Sequence, residues 1–181
     1  MKQKIIPSCF SMRDFEKFLE CPLETGIFVE VHVAQLKNVY RLAKQYNKRM
    51  IYHLDMIQGL KNDEYAAEYI CQEFKPQGVI STKSNVILKA KQKGVTAIQR
   101  IFLLDSRALE KSFQQVAKSR PDYIEVLPGI IPAMIKEVKE ELQIPVLAGG
   151  LIRTEEEVKN ALAAGAAAIT TSKTELWRLS V

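Results

Sequence analysis

Residues 145–172 read PVLAGGLIRTEEEVKNALAAGAAAITTS, and this stretch decides the fold. It begins with an apolar run, Pro145–Gly149, that predicts a strand, and it ends with a second one, Ala167–Thr171. Between them, Thr154–Ala164 has the spacing of an amphipathic helix. A strand, a helix and a strand in this order form a parallel βαβ unit, whose connection is right-handed.

The same unit repeats toward the N-terminus. Eight strands are predicted, at Lys4–Ser8, Gly26–His32, Arg49–Asp55, Gly78–Thr82, Thr96–Phe102, Tyr123–Leu127, Pro145–Gly149 and Ala167–Thr171. Helical patterns follow them near Arg13–Glu20, Val33–Asn47, Asp63–Lys75, Ser84–Lys93, Ser106–Ser119, Ile130–Leu142, Thr154–Ala164 and Thr174–Leu179. We therefore predict an α/β fold, a single (β/α)8 TIM-type barrel domain over residues 1–181. At about 23 residues per unit, below the usual ~30, the βα loops must be short and the mouth nearly without a lid.

Composition agrees with one soluble domain. The chain has 181 residues, of which 47% are hydrophobic and 26% charged. It contains no apolar run of the roughly 20 residues that a membrane helix needs, and its N-terminus lacks a signal-peptide pattern, so we expect a cytoplasmic protein without membrane contact. Cys9, Cys21 and Cys71 are widely spaced and form no CxxC motif. We expect free thiols, no metal site and no cofactor.

The glycine pair in residues 145–172 is the strongest binding motif. In barrels of this class the loops after the last two strands commonly hold a phosphate with backbone N–H groups, and glycine lets the backbone approach the anion. We predict a phosphate site at Gly149, Gly150, Thr171 and Ser172. A plain turn and a helix N-cap are the alternative, but both elements occur together where the barrel places such a site.

Charged residues end four other predicted strands, at Asp55, Lys83, Arg100 and Glu125. The C-terminal ends of barrel strands meet at one face, so these side chains are expected to converge there. A carboxylate accepts hydrogen bonds from hydroxyl groups, and a lysine or an arginine offsets phosphate charge. These four residues therefore predict a polyol-binding rim beside the phosphate. Structural ion pairs are the alternative.

His53 lies two residues before Asp55, so both side chains face the same side of the predicted strand. A base oriented by an acid would suit catalysis. We expect instead a barrel-core histidine whose hydrogen bonds are satisfied. Glu30 and His32 repeat this spacing on the strand before it, yet nothing in the spacing requires a metal. We assign no catalytic residue.

Five segments, taken in order, resemble the glycerol-responsive antiterminator family, the glycerol uptake operon regulators. They are HLDMIQGL at 53–60, GVISTK at 78–83, IQRIFLLDS at 98–106, PDYIEVLPG at 121–129 and AGGLI at 148–152. The resemblance implies a regulator without enzyme activity. It would bind glycerol 3-phosphate and, in that state, act on the leader of a nascent messenger RNA so that transcription passes a terminator. The predicted phosphate and polyol residues would then hold this ligand.

A basic helix face is the candidate RNA surface. Lys37, Arg41, Lys44 and Lys48 lie on one side of the predicted helix Val33–Asn47 and directly after it, and no acid lies between Val31 and Leu54. An ordinary solvated face is the alternative. No RNP or KH motif is present, so recognition by phosphate contacts and RNA shape is expected.

Two other functions fit the same residues. One is a barrel isomerase, aldolase or lyase acting on a phosphorylated triose or sugar, with Lys83, His53 and Glu125 as acid, base or Schiff-base candidates. The other is a metabolite-binding module that signals through a protein partner. The sequence leaves a homo-oligomer open.

Overall fold

The computed structural model describes residues 3–180, and within them eight parallel strands close into a barrel. The barrel strands are β1 (Ile5–Cys9), β2 (Thr25–Phe28), β4 (Arg49–His53), β6 (Gly78–Ser81), β7 (Thr96–Phe102), β8 (Tyr123–Leu127), β9 (Val146–Gly149) and β10 (Ala168–Thr171). Each strand pairs with the next one in this order, and β1 closes the barrel on β10 through Ile5 opposite Ile169. The predicted (β/α)8 architecture is confirmed.

Helices follow the barrel strands, as right-handed crossovers require. They are α1 (Met12–Glu20), α2 (Leu36–Gln45), α3 (Glu64–Phe74), α4 (Ser84–Gln92), α5 (Ser106–Ser119), α6 (Pro132–Leu142) and α7 (Glu155–Ala163). Several of these helices begin directly after a residue whose side chain caps the helix N-terminus. The Thr154 hydroxyl accepts the Glu157 N–H at 3.2 Å, and the Glu157 carboxylate accepts the Thr154 N–H at 2.9 Å, which is the predicted capping box.

Successive side chains of each strand face opposite sides of the sheet, and this alternation divides the hydrophobic core into two clusters. One buried cluster fills the barrel interior with isoleucines that each come from a different strand: Ile6, Ile27, Ile51, Ile80 and Ile98. The outward-facing residues pack against the helices in a second, larger cluster. Every second residue of a strand therefore faces the interior, and the interior residue at a strand's C-terminal end faces the mouth.

The mouth is less open than predicted. The strand expected at Gly26–His32 ends at Phe28, and the chain after it forms β3 (Val31–His32), which pairs with β5 (Ile57–Gln58) beyond the end of β4. Val31 and Ile57 are buried, because this small sheet packs onto the core. The loops after the second and third barrel strands thus cover part of the mouth.

Two predicted helices also differ. The helix expected at Val33–Asn47 begins as a 3₁₀ turn, Val33–Gln35, before α2. The one expected at Thr174–Leu179 is a 3₁₀ helix, Thr174–Arg178, in which Leu176 and Trp177 are buried. A segment this short is not stable as an α-helix by itself, so packing of the two apolar side chains decides its form.

The other sequence expectations concern thiols and membranes. Cys9, Cys21 and Cys71 are free, as predicted. Within residues 3–180 no helix has the length and apolar character to cross a membrane. The same part of the chain contains no group of three or more His, Cys, Asp or Glu residues able to hold a metal ion.

Candidate functional site

A cavity of about 110 Å³ opens at the C-terminal ends of the barrel strands. Larger depressions elsewhere, such as one of about 780 Å³ beside α1, lie away from this end of the barrel. The small cavity suits a ligand of a few non-hydrogen atoms rather than a drug-sized one. Its lining comes from β1, β7, β8, β10 and the loops after β1, β2, β9 and β10: Ser8, Phe10, Val29, Arg100, Glu125, Leu127, Gly150, Leu151, Ile152, Thr170, Thr171 and Ser172.

One wall of the cavity, the glycine wall, is the segment Gly149–Leu151, of which Gly150 and Leu151 line the cavity directly. A Cβ on Gly149 would clash with the Thr170 hydroxyl and would lie 3.0 Å from the Glu125 carboxylate. Gly150 has a φ of +73° and Leu151 one of +62°, so the chain turns sharply after β9. Within residues 3–180 no acceptor lies on the backbone N–H of Gly150 or Ser172. Unpaired N–H groups beside a cavity are suited to hold an anion.

Thr171 contributes to the wall in a different way from the one predicted. Its hydroxyl donates to the Ile152 carbonyl at 3.2 Å and accepts the Lys173 N–H at 3.1 Å. Its carbonyl accepts the indole N–H of Trp177 at 2.9 Å. These bonds hold the loops after β9 and β10 together. Thr171 therefore shapes the cavity, while the exposed Ser172 lies at its entrance.

The charged group of the cavity is an arginine paired with a buried glutamate. Arg100 Nε donates to Glu125 Oε2 at 2.7 Å, and the Thr170 hydroxyl donates to Glu125 Oε1 at 2.7 Å. The Glu125 side chain is 1% exposed and that of Arg100 13%. Within the described chain the guanidinium makes this one hydrogen bond, which leaves its terminal amino groups for an anion. Arg–phosphate contacts of this kind are strong because both partners are charged.

Asp55 and Lys83, the other two predicted rim residues, do not line the cavity. Both Asp55 carboxylate oxygens accept hydrogen bonds from the end of β6 and the loop after it: one from the Ser81 hydroxyl, the other from the Thr82 N–H at 2.8 Å and the Thr82 hydroxyl at 2.6 Å. Burial opposes ionisation of this carboxyl, but the hydrogen bonds outweigh it and hold the pKa of Asp55 below its usual value. Lys83 Nζ donates to the Asn62 carbonyl at 2.8 Å, in the loop before α3.

His53 departs from the expectation of a satisfied core histidine. It is 2% exposed, and within residues 3–180 neither ring nitrogen has a hydrogen-bond partner. Burial, with the positive charge of Arg100 as a second cause, lowers the pKa of His53 to about 4. The side chain is thus a neutral imidazole in the barrel interior with one donor and one acceptor unused.

The basic stripe predicted on α2 keeps three of its four members. Lys37, Arg41 and Lys44 are exposed. Lys48 is not part of that surface, because its ammonium group donates to the Cys21 and Leu23 carbonyls, the latter at 2.8 Å, and lies 5.1 Å from the centre of the Phe18 ring. It joins the chain before β2 to the segment that follows α2.

Thr170 and Ser8 are cavity residues that the sequence interpretation missed. On β10 the interior position after Ala168 is Thr170 rather than Thr171, since side chains alternate. The same count on β1 leads from Ile6 to Ser8. Both residues could have been found by counting every second position along the strand from the apolar residue that faces the barrel interior.

Solved structures that resemble this chain fall into two groups. The chain is 46% identical to a glycerol uptake operon antiterminator regulatory protein from Listeria monocytogenes, with a TM-score of 0.96 over 99% of this chain and 97% of that one. A glycerol uptake operon antiterminator-related protein from Thermotoga maritima is 28% identical, with a TM-score of 0.86 over 99% and 100%. A deoxyribose phosphate aldolase from Aeropyrum pernix, at 15% identity and a TM-score of 0.70 over 96% and 87%, shares the fold alone.

A sequence relative and a family model add to this comparison. The uncharacterized protein YgcP of Escherichia coli is 34% identical over 149 residues, which cover 82% of this chain and 78% of that protein. The model of the glycerol-3-phosphate responsive antiterminator family matches residues 5–177, from the first barrel strand to the C-terminal 3₁₀ helix. The chain therefore belongs to the glycerol-3-phosphate responsive antiterminator family.

Proposed function

We propose that this protein binds glycerol 3-phosphate in the cavity at the mouth of its barrel and, in the bound state, acts on leader mRNA as a transcription antiterminator for glycerol utilisation genes. One observation carries the proposal. The backbone N–H groups of Gly150 and Ser172, which have no acceptor within residues 3–180, and the Arg100 guanidinium surround one small cavity. Family membership supports the identity of the ligand.

The phosphate belongs on the side of the glycine wall. The backbone N–H groups there supply donors without a side chain, and Gly149 leaves room for the Thr170 hydroxyl and the Glu125 carboxylate beside the cavity. Arg100 adds a positive charge that its Glu125 partner keeps in place. The predicted contacts from Asp55 and Lys83 stay predictions, and their positions outside the cavity lining do not support them.

Calorimetric titration tests ligand binding directly. Glycerol 3-phosphate is expected to bind, and glycerol to bind far more weakly, because the phosphate supplies the charge that Arg100 and the N–H groups recognise. Absence of binding by the phosphorylated compound contradicts the proposed function.

The RNA surface is proposed to be the exposed face of α2, at Lys37, Arg41 and Lys44. Arg49 and Lys75 extend it, since both line the same surface depression as Lys44. Contacts from lysine and arginine to RNA phosphates release counterions, so affinity is expected to fall steeply as salt rises. The ligand matters only if it favours the state that binds RNA; a ~100-fold preference corresponds to about 2.7 kcal/mol.

A leader-RNA shift assay with a matched control tests this surface. The double charge reversal Lys37→Glu with Lys44→Glu is expected to abolish binding. Lys111→Glu with Lys118→Glu is the control, because it makes the same change in net charge at the same spacing on exposed positions of α5. Equal losses in both variants would indicate general attraction by charge, and unchanged binding in the first would remove α2 from the RNA surface.

Chemistry on a bound sugar phosphate is less supported. A Schiff-base mechanism needs a lysine beside the substrate, and the residues that line the cavity, all within the described part of the chain, include none. Lys83, the predicted candidate, donates to the Asn62 carbonyl in a neighbouring loop. Turnover of glyceraldehyde 3-phosphate that is lost in Lys83→Ala would overturn this conclusion.

A further inference from the structure

The interior of the barrel is built in layers, and His53 belongs to the layer that holds the cavity. Strand pairings around the barrel, followed with the stagger of about one residue per strand typical of this fold, place Ser8, His53, Arg100 and Gly149 at one height. Each lies two residues beyond a member of the apolar interior cluster on its own strand: Ile6, Ile51, Ile98 and Leu147.

Gly149 leaves this layer of four one side chain short. Its strand, β9, lies opposite β4 in the barrel order, so His53 faces Gly149 across the barrel, where the Thr170 hydroxyl and the Glu125 carboxylate lie against Gly149. The remaining two members of the layer, Ser8 and Arg100, line the cavity. His53 is not itself part of the cavity lining, but it lies in the same layer as these two lining residues, and the positive charge of Arg100 acts on its ring.

The chemistry of the imidazole matches a hydroxyl group. A neutral ring offers one N–H donor and one nitrogen acceptor, and a hydroxyl group both accepts and donates. Both ring nitrogens are without a partner within residues 3–180, and a buried polar group left in that state costs about 1–3 kcal/mol. A ligand hydroxyl relieves this cost, whereas inorganic phosphate held at the opposite wall does not reach the ring.

We propose that His53 is the residue that recognises the hydroxyl groups of a small phosphorylated polyol and thereby distinguishes it from inorganic phosphate. This inference rests on the proposed function. It assigns ligand specificity to His53, which is not one of the four residues of the predicted polyol-binding rim. Arg100 and the N–H groups of the glycine wall bind the phosphate, and His53 binds the carbon end of the same molecule.

Calorimetry with two ligands on wild type and three variants tests the proposal. Glycerol 3-phosphate is expected to bind wild type more tightly than sodium phosphate does. His53→Leu should lower glycerol 3-phosphate affinity about tenfold or more and leave phosphate affinity unchanged, and His53→Gln, which keeps a donor and an acceptor, should lose less. His32→Asn is the control. This second histidine is exposed and caps the turn after it by accepting the Ala34 N–H at 3.1 Å, a role that asparagine keeps.

The outcomes distinguish this inference from the proposed function. Wild type that does not bind glycerol 3-phosphate overturns both, and binding without a preference over phosphate overturns the inference alone. Wild type with that preference, retained in His53→Leu, overturns the inference alone, as does an equal loss of both ligands. If His53→Leu does not fold, long-range ¹H–¹⁵N spectra of wild type give the answer: glycerol 3-phosphate must shift the ring nitrogens of His53 but not those of His32, and phosphate must shift neither.

Discussion

The two halves of the barrel mouth use polar residues in opposite ways. Around β7 to β10, Arg100, Glu125 and the glycine wall face a common cavity, and donors there remain unpaired. Around β4 and β6, Asp55 binds the loop beside it and Lys83 binds a carbonyl of the loop before α3. A charged residue at a strand end is therefore a binding candidate only when its hydrogen bonds are not already made within the protein.

The largest expected effect is on the cavity half. Arg100→Met leaves the Glu125 carboxylate buried without its charged partner, so the free energy of unfolding should fall by about 3–5 kcal/mol, together with ligand affinity. Lys159→Met is the control, because it removes an ion pair of the same length, 2.7 Å, on the exposed surface of α7, and it should cost less than about 1 kcal/mol. Urea unfolding measures both. Equal effects in the two variants contradict the assignment of Glu125 as a buried ion that depends on Arg100.

The next largest effect is a dependence of the free energy of unfolding on pH, which His53 causes. The pKa of His53 is about 4 in the folded protein, against an ordinary value of 6.5, so between these values the unfolded chain binds a proton that the folded chain does not. The free energy of unfolding should therefore fall by about 3 kcal/mol as the pH drops through this window, and the contribution is constant above and below it.

The groups that face His53 in this titration are Arg100, whose charge opposes protonation, and Asp55 and Glu125, whose charges favour it. His53→Gln removes the titrating ring and leaves these three in place. The difference between wild type and this variant in urea unfolding at a series of pH values isolates the histidine. A difference that stays constant from about pH 7 to about pH 4 would show that the imidazole is not buried in neutral form.

A smaller effect is expected at the glycine wall. Gly149→Ala forces a Cβ against the Thr170 hydroxyl and the Glu125 carboxylate, which should cost about 1–3 kcal/mol of stability and abolish phosphate binding. Gly94→Ala is the comparison, since its Cβ meets nothing within 4 Å but its φ of +70° is strained. That variant should lose stability and keep phosphate binding. Phosphate binding by Gly149→Ala would place the anion elsewhere.

The smallest effect belongs to the other half of the mouth. Lys83 is exposed and its ammonium group binds a backbone carbonyl, so Lys83→Met should change stability by less than about 0.5 kcal/mol and leave glycerol 3-phosphate affinity within about twofold of wild type. Calorimetry and thermal unfolding measure the two quantities. A tenfold loss of affinity would return Lys83 to the ligand site, where the sequence interpretation placed it.

The sequence predicts the barrel well because the fold depends on local pattern. Apolar runs separated by amphipathic helical spacing recur along the chain, and caps such as Thr154 with Glu157 act within a few residues. The small sheet of β3 and β5 cannot be predicted from local pattern. Val31 and Ile57 pair only because the loops after β2 and β4 come together in the folded barrel.

The site is predictable where geometry follows from strand position alone. The glycine pair at the end of the seventh barrel strand lies where barrels of this class hold phosphate, and the loop after the eighth lies beside it. The partners of Asp55, Lys83 and Lys48 are not predictable in this way, since each binds a backbone or side-chain group on another element. Whether a polar group is available to a ligand is a property of tertiary contacts.

Closure of the barrel by β1 on β10 has a consequence for synthesis. The cavity takes Ser8 from the first barrel strand and Thr170 and Ser172 from the last strand and the loop after it. On the ribosome the first of these leaves the exit tunnel long before the others are made, and pairing between such distant segments is among the late and slow events of folding. We expect a nascent chain not to bind glycerol 3-phosphate until the last strand has docked. Only completely synthesised and folded molecules would then respond to this ligand.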